Sequence, residues 1–135
     1  MYLLDTNVVS ELCRVKPHQG VVNWLKAIPA EELFISAVTV GEIQAGIEIM
    51  REQNPDRAGA LQEWLEQISA SAAVLPMDAL AFQEWARISH RKPKALLQDA
   101  MIAATAKIRG LTVATRNVRE FREFGVKIVN PFQSG

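Results

Sequence analysis

Residues 2–11 read "YLLDTNVVSE". A short apolar run suited to a buried strand stops abruptly at Asp5, Thr6 and Asn7, and hydrophobic residues resume at Val8 and Val9 with the spacing of a helix. The same alternation continues down the chain. Leu3-Leu4, Leu33-Phe34-Ile35, Val74-Leu75 and Leu111-Thr112-Val113 are cores of brief strands, and residues 126–129 make a fifth. Residues 21–28, 38–51, 57–70, 79–89 and 95–109 carry apolar side chains at i, i+3, i+4 spacing and are expected to be helices. Pro17, Pro29, Pro55, Pro93 and Gly110 fall at their boundaries, where residues that start or stop helices belong. Strands alternating with helices predict a parallel sheet covered on both faces, with right-handed crossovers.

Composition narrows the class. A chain of 135 residues, 49% of them hydrophobic, is long enough for one core and is expected to form a single domain over residues 1–135. Fifteen basic residues balance fifteen acidic ones, so no global positive field advertises nucleic acid, and any such contact must be local. Cys13 is the only cysteine, which excludes an internal disulfide and a multi-cysteine zinc site and fits a reducing compartment. The N-terminal apolar run meets Asp5 at once, so no signal peptide is expected. No apolar stretch approaches the roughly 20 residues of a membrane span. A cytoplasmic location is the expectation.

In an open parallel sheet, function collects beyond the carboxyl ends of the strands, and acids recur at those places. Asp5 follows the first strand, although an aspartate there also serves as a helix N-cap. Glu42 follows "LFIS"; Thr39 to Glu42 has the form of a capping box, but Ser36 is the better cap, which puts Glu42 in the second turn on a face shared with Thr39, Ala45 and Gly46. Asp99 lies among Ala95, Leu96, Ile102 and Ala103, where a carboxylate needs compensation from a salt bridge, from a helix starting near Leu97, or from a metal. Glu120 follows the fourth strand, with Asn117 three residues earlier as its candidate cap. Several carboxylates at one sheet edge would repel unless cations neutralised them. Clusters of carboxylates without His or Cys suit Mg²⁺ or Mn²⁺, and such ions serve phosphodiester hydrolysis.

Four ordered motifs, "LLDTNVVSE", "ISAVTVGEI", "QDAMIAATA" and "VATRNVREF", resemble those of the PIN-domain ribonucleases, specifically the VapC or FitB-like toxins of bacterial toxin–antitoxin pairs. The likeness runs from Tyr2 to about Pro131. It implies a three-layer α/β/α sandwich, cleavage of RNA with Mg²⁺ or Mn²⁺, inhibition by a cognate antitoxin and a homodimer. By that resemblance Asp5, Glu42 and Asp99 are the metal-binding acids, and Thr6, Asn7 and Thr115 are their polar neighbours. The fourth acid of the family is commonly aspartate; Glu120 stands there, one methylene longer, with Asn117 beside it. Arg116, inside the fourth motif, is the candidate RNA contact, and the "HRKPK" loop at residues 90–94 is a second one or simply a solvated charged loop. Trp24, Trp64 and Trp85 are expected in the core, and the helices of residues 38–70 carry enough apolar surface to form an antitoxin clip. Competing readings are a metal-independent nuclease using His18 and His90, a receiver-like phosphoacceptor with Asp78, and a non-catalytic binding module whose acids only cap helices.

Overall fold

The structure is a computed structural model in which residues 1–133 are described; the last two positions of the unit read from the sequence lie outside them. Strand β1 (Tyr2–Leu4) leads into helices α1 (Thr6–Glu11) and α2 (Gln19–Ala27). A 3₁₀ turn at Ala30–Glu32 precedes β2 (Leu33–Ser36), followed by the long pair α3 (Ala37–Gln53) and α4 (Pro55–Ser71). After β3 (Ala73–Leu75) come α5 (Ala79–Ser89), a 3₁₀ turn at Lys94–Leu96 and α6 (Leu97–Arg109). Strand β4 (Thr112–Ala114), α7 (Val118–Glu123) and β5 (Ile128–Val129) close the chain.

Local chemistry sets these boundaries. The Ser36 hydroxyl accepts the Val38 N–H at 3.0 Å, so α3 starts one residue after β2 and Thr39 is not its cap. Asn54 caps α4 in the same way, with Pro55 in the first turn where its missing N–H costs nothing. Gly110 ends α6 in the left-handed conformation at φ 67°. The strand read as starting at Leu111 starts at Thr112, and the one read over residues 126–129 narrows to Ile128–Val129. At Leu111 the N–H instead donates to the Ala106 carbonyl at 2.8 Å, completing the end of α6 rather than joining the sheet.

All strand pairs are parallel, in the order β3-β2-β1-β4-β5. Successive residues of each strand point to opposite faces, and the core divides accordingly. Leu3 and Val113 are buried against Ala100, Ile102, Ala103 and Ala106 of α6 and Phe121 of α7. Leu4, Ile35 and Ala114 face the other way, against Val8 and Val9 of α1 and Val21 of α2, with Trp24 and Trp64 partly buried beside them. Each fully buried Leu, Ile or Phe contributes about 1.5–3 kcal/mol relative to exposure, and the two layers make the expected three-layer α/β/α sandwich.

A third cluster joins α3 to α4 through Ile47, Ala58 and Leu65. It consumes much of the apolar content that the sequence offered for a clip; Ile49 is the large hydrophobic residue of this pair left exposed. No described helix is long and apolar enough to cross a membrane.

Candidate functional site

The strand order reverses direction at β1. From there the chain builds outward to β2 and β3 on one side and to β4 and β5 on the other. In such sheets the crevice at the carboxyl ends of the two central strands is the switch point where ligands bind. Registered pairing of Leu4 with Ile35 and with Ala114 aligns the strand ends, so Asp5, Ser36 and Thr115 emerge side by side. All three are buried.

Asp5 shows how the local fold builds this crevice. Its N–H donates to the Ala114 carbonyl at 2.9 Å, prolonging the β1–β4 ladder by one residue. Its carboxylate then receives donors from three directions. Oδ1 accepts the Thr6 N–H at 2.8 Å, whereas Oδ2 accepts the Thr115 hydroxyl at 2.7 Å and the Asn7 amide at 3.1 Å. Capping α1 accounts for the first bond alone. A cap needs neither an exposure of 2% nor a hydroxyl from the residue after another strand.

Glu42 is half-buried on the second turn of α3, and its Oε1 accepts the Thr6 hydroxyl at 2.8 Å. The Thr6 oxygen also meets the Thr39 hydroxyl at 3.0 Å. A hydroxyl has one proton, so Thr6 gives its own to Glu42 and receives one from Thr39. Beside Glu42 the helix surface is open, because a Cβ built on Gly46, four residues on, would meet nothing within 4 Å.

Asp99 falls in the first turn of α6, since the 3₁₀ turn at Lys94–Leu96 delays the helix start to Leu97. Its carboxyl is pushed up to about 6, first by burial and then by the negative charges of Asp5, Glu42 and Glu120, with the Asn117 side chain opposing. Burial likewise raises Asp5, against the pull of Thr115, Thr6 and Asn7, and raises Glu42, with the Asp5 charge adding to it. The acids from four separate elements therefore share one electrostatic neighbourhood. The described ion pairs, Arg14–Glu11, Arg51–Glu48, Arg87–Glu84 and Lys107–Glu84, include none of them. The salt-bridge explanation for Asp99 thus finds no partner among the described residues.

Charge and donor chemistry fit a hard divalent ion, with oxygen ligands and uncompensated negative charge. Geometry limits how. Among the described residues no three His, Cys, Asp or Glu side chains close on one point as a ready-made metal cage. Like-charge coupling reaches further than direct coordination, so the two findings agree. They fit a hard divalent ion that takes one or two carboxylates directly and keeps several waters.

The remaining sequence candidates are distributed as follows. The Asn7 amide oxygen accepts the Arg116 N–H at 3.2 Å, and the Thr115 hydroxyl accepts the Asn117 N–H at 2.9 Å, so the turn after β4 is tied to the turn after β1. The Asn117 side chain makes no capping bond to α7, so the cap read from the sequence is absent there. Arg116 is exposed at the rim of this turn. In the loop at residues 90–94, His90 ends α5 and Arg91 adopts φ 62°. Sequence reasoning missed the role of Thr39, which looks like a helix-start residue until Thr6 is placed beside it. It also passed over Glu11, a buried acid that accepts the His18 N–H at 2.7 Å and pairs with Arg14 at 3.4 Å. Its signal was an acid at helical spacing from Val8.

Two competing readings lose their residues to structural roles. His18 caps α2 through the Gly20 N–H and packs on Phe132. Asp78 caps α5 through the Ala81 N–H, and the observed strand order differs from the 2-1-3-4-5 order of the flavodoxin-like sheets that receivers share.

Comparison with known proteins meets the same picture. Residues 2–127 match the family described as PIN domain. The chain is 38% identical to Toxin FitB of Neisseria gonorrhoeae, over 98% of this chain and 99% of that protein. It is 36% identical to VapC ribonuclease Y4jK of Sinorhizobium fredii over the same shares of each. A crystal structure of FitAcB from Neisseria gonorrhoeae superposes with a TM-score of 0.87, covering 98% of this chain and 99% of the other at 38% identity. A match that takes in every strand but the last, and a superposition that takes in nearly all of both chains, leave one conclusion: this chain belongs to the PIN-domain family.

Proposed function

We propose that this chain is a metal-dependent endoribonuclease of the toxin type, working in the cytoplasm as a homodimer and restrained by a cognate antitoxin protein. The observation that carries the reading is Asp5, buried at the sheet's switch point, clamped by donors from Thr6, Asn7 and Thr115 and linked through Thr6 to Glu42, with no described cation paired to either acid. The names of the relatives, a toxin and a ribonuclease, agree with it.

Asp5, Glu42 and Asp99 are assigned to Mg²⁺ or Mn²⁺, with Glu120 tuning a second position. When bound, such an ion supplies a water of lowered pKa and polarises the scissile phosphate. The protein's contribution is to hold the ligands ready. Asp5 is fixed by donors from Thr6, Asn7 and Thr115 and cannot swing, so its geometry is set before substrate arrives. Thr6 orients Glu42 and is itself oriented by Thr39. The extra methylene of Glu120 lengthens the reach of the fourth acid, and Asn117 stands next to Asp99 to steady it. Arg116 offers the positive charge for a substrate phosphate that a neutral chain otherwise lacks.

The test is cleavage of a single-stranded RNA with Mg²⁺ or Mn²⁺, comparing the wild type with Asp99→Asn and with an EDTA control. The wild type is expected to cleave only with metal, and the variant to lose at least about a hundredfold, as a group acting on charge in the transition state does. Equal cleavage by both, or cleavage in EDTA, refutes the reading.

A further inference from the structure

Arg116 is held more firmly than an exposed arginine needs to be. Its guanidinium carbon lies 3.7 Å from the centroid of the Phe132 ring, inside the range of a cation–π contact. The Phe132 ring meets His18 edge to face, with centroids 5.4 Å apart and planes at 62°. Both supports are themselves fixed. The Phe132 N–H donates to the Asn130 side chain at 2.9 Å, and His18 accepts the Gly20 N–H at 3.1 Å. From the other side, the Arg116 N–H is bound by Asn7, the residue that also donates to Asp5.

The result is a guanidinium whose carbon sits over an aromatic ring, with its backbone tied to the turn after β1 and no carboxylate partner among the described residues. An arginine held over a ring with no carboxylate partner keeps N–H donors for a phosphate oxygen to accept. A flexible arginine would lose rotamer freedom on binding, whereas a stacked one has already lost much of it.

Resting on the ribonuclease reading above, we propose that Phe132, braced by His18, is a positioning residue that holds Arg116 beside Asp5 to grip a phosphate of single-stranded RNA. Phe132 touches no substrate in this scheme and acts through Arg116.

The experiment measures binding of a fluorescent single-stranded RNA oligonucleotide in the presence of Mg²⁺, in an Asp99→Asn background that spares the probe from cleavage. Arg116→Ala and Phe132→Leu are each expected to weaken binding about fivefold, and the two together no more than either alone. Phe132→Tyr restores affinity, because it keeps the aromatic face that leucine lacks; a purely packing role would be served by leucine as well. Arg116→Ala and Phe132→Leu should also both flatten the salt dependence by about one phosphate contact. Equal affinity of the leucine and tyrosine variants, or additive losses in the double variant, overturns the proposal. Cleavage by the unmodified chain separates the two levels. If it cleaves and the Phe132 variants bind alike, only the positioning role fails; if it neither cleaves nor binds RNA, the ribonuclease reading falls and this proposal with it.

Discussion

Thr115 is buried, and its hydroxyl both donates to Asp5 at 2.7 Å and accepts the Asn117 N–H at 2.9 Å. Valine would keep the shape and delete both bonds, leaving a buried carboxylate oxygen short of a donor. Thr115→Val is therefore expected to destabilise the fold by about 1–3 kcal/mol, with Thr115→Ser close to wild type. Urea unfolding checks this as a lower midpoint at unchanged slope. Asp99 gives the opposite sign. Its folded-state pKa of about 6 lies above the ordinary 3.8, so the folded protein binds the extra proton between these values. Stability of the metal-free chain should then fall as pH rises through that window, and the penalty should be complete above it. Asp5 and Glu42 shift in the same direction and steepen the fall. Asp99→Asn removes one like charge and is expected to raise stability at neutral pH by ~1 kcal/mol, below the full shift because the group is half-exposed. Thermal midpoints in EDTA across pH measure it. These acids were legible in the sequence because each interrupts an apolar pattern. The role of Thr39 was not, since a hydroxyl near a helix start looks like a cap until a side chain from a remote segment is set beside it.

Helix α6 shows how element boundaries change a residue's chemistry. Read as starting at Ala95, the helix would carry Asp99 in its second turn; starting at Leu97, it holds Asp99 in the first, where the helix dipole favours negative charge. The carboxyl is nevertheless pushed up to about 6, so burial and three neighbouring acids outweigh that help. The boundary was hard to read because Pro93 opens a turn that closes with Leu96 N–H on the Pro93 carbonyl at 3.0 Å, and its apolar residues continue the helical pattern. The other end was plain, because Gly110 stands where φ is 67°. Gly110→Ala forces a Cβ into that conformation and should cost about 1 kcal/mol in chemical denaturation. In the α3–α4 pair, Ile47 is 2% exposed at the centre of its own cluster. Ile47→Ala is expected to destabilise by about 2–5 kcal/mol. Since Ile47 lies five residues beyond Glu42 on the same helix, RNA cleavage by this variant should suffer as well once the α3–α4 contact loosens.

For the molecule as a whole, alternating strands and helices announced a covered parallel sheet, and the alternation of Leu3 with Leu4 and Val113 with Ala114 between the two cores is its physical basis. The strand order was not legible. Strands of two to four residues carry too little side-chain pattern to choose neighbours, and the order emerges only when helices compete for the two faces. That order matters most for the candidate site, because it sets β1 beside both β2 and β4, so that Asp5 meets Thr115 from the turn after β4 while its neighbour Thr6 reaches Glu42 on the helix after β2. Calorimetric titration of Mn²⁺ at neutral pH into the wild type, Asp5→Asn and Asp99→Asn tests whether this gathering of charge exists to receive a divalent ion. The account predicts binding by the wild type that weakens at least about tenfold in each variant; equal affinity in all three proteins, or no binding to the wild type, would contradict it.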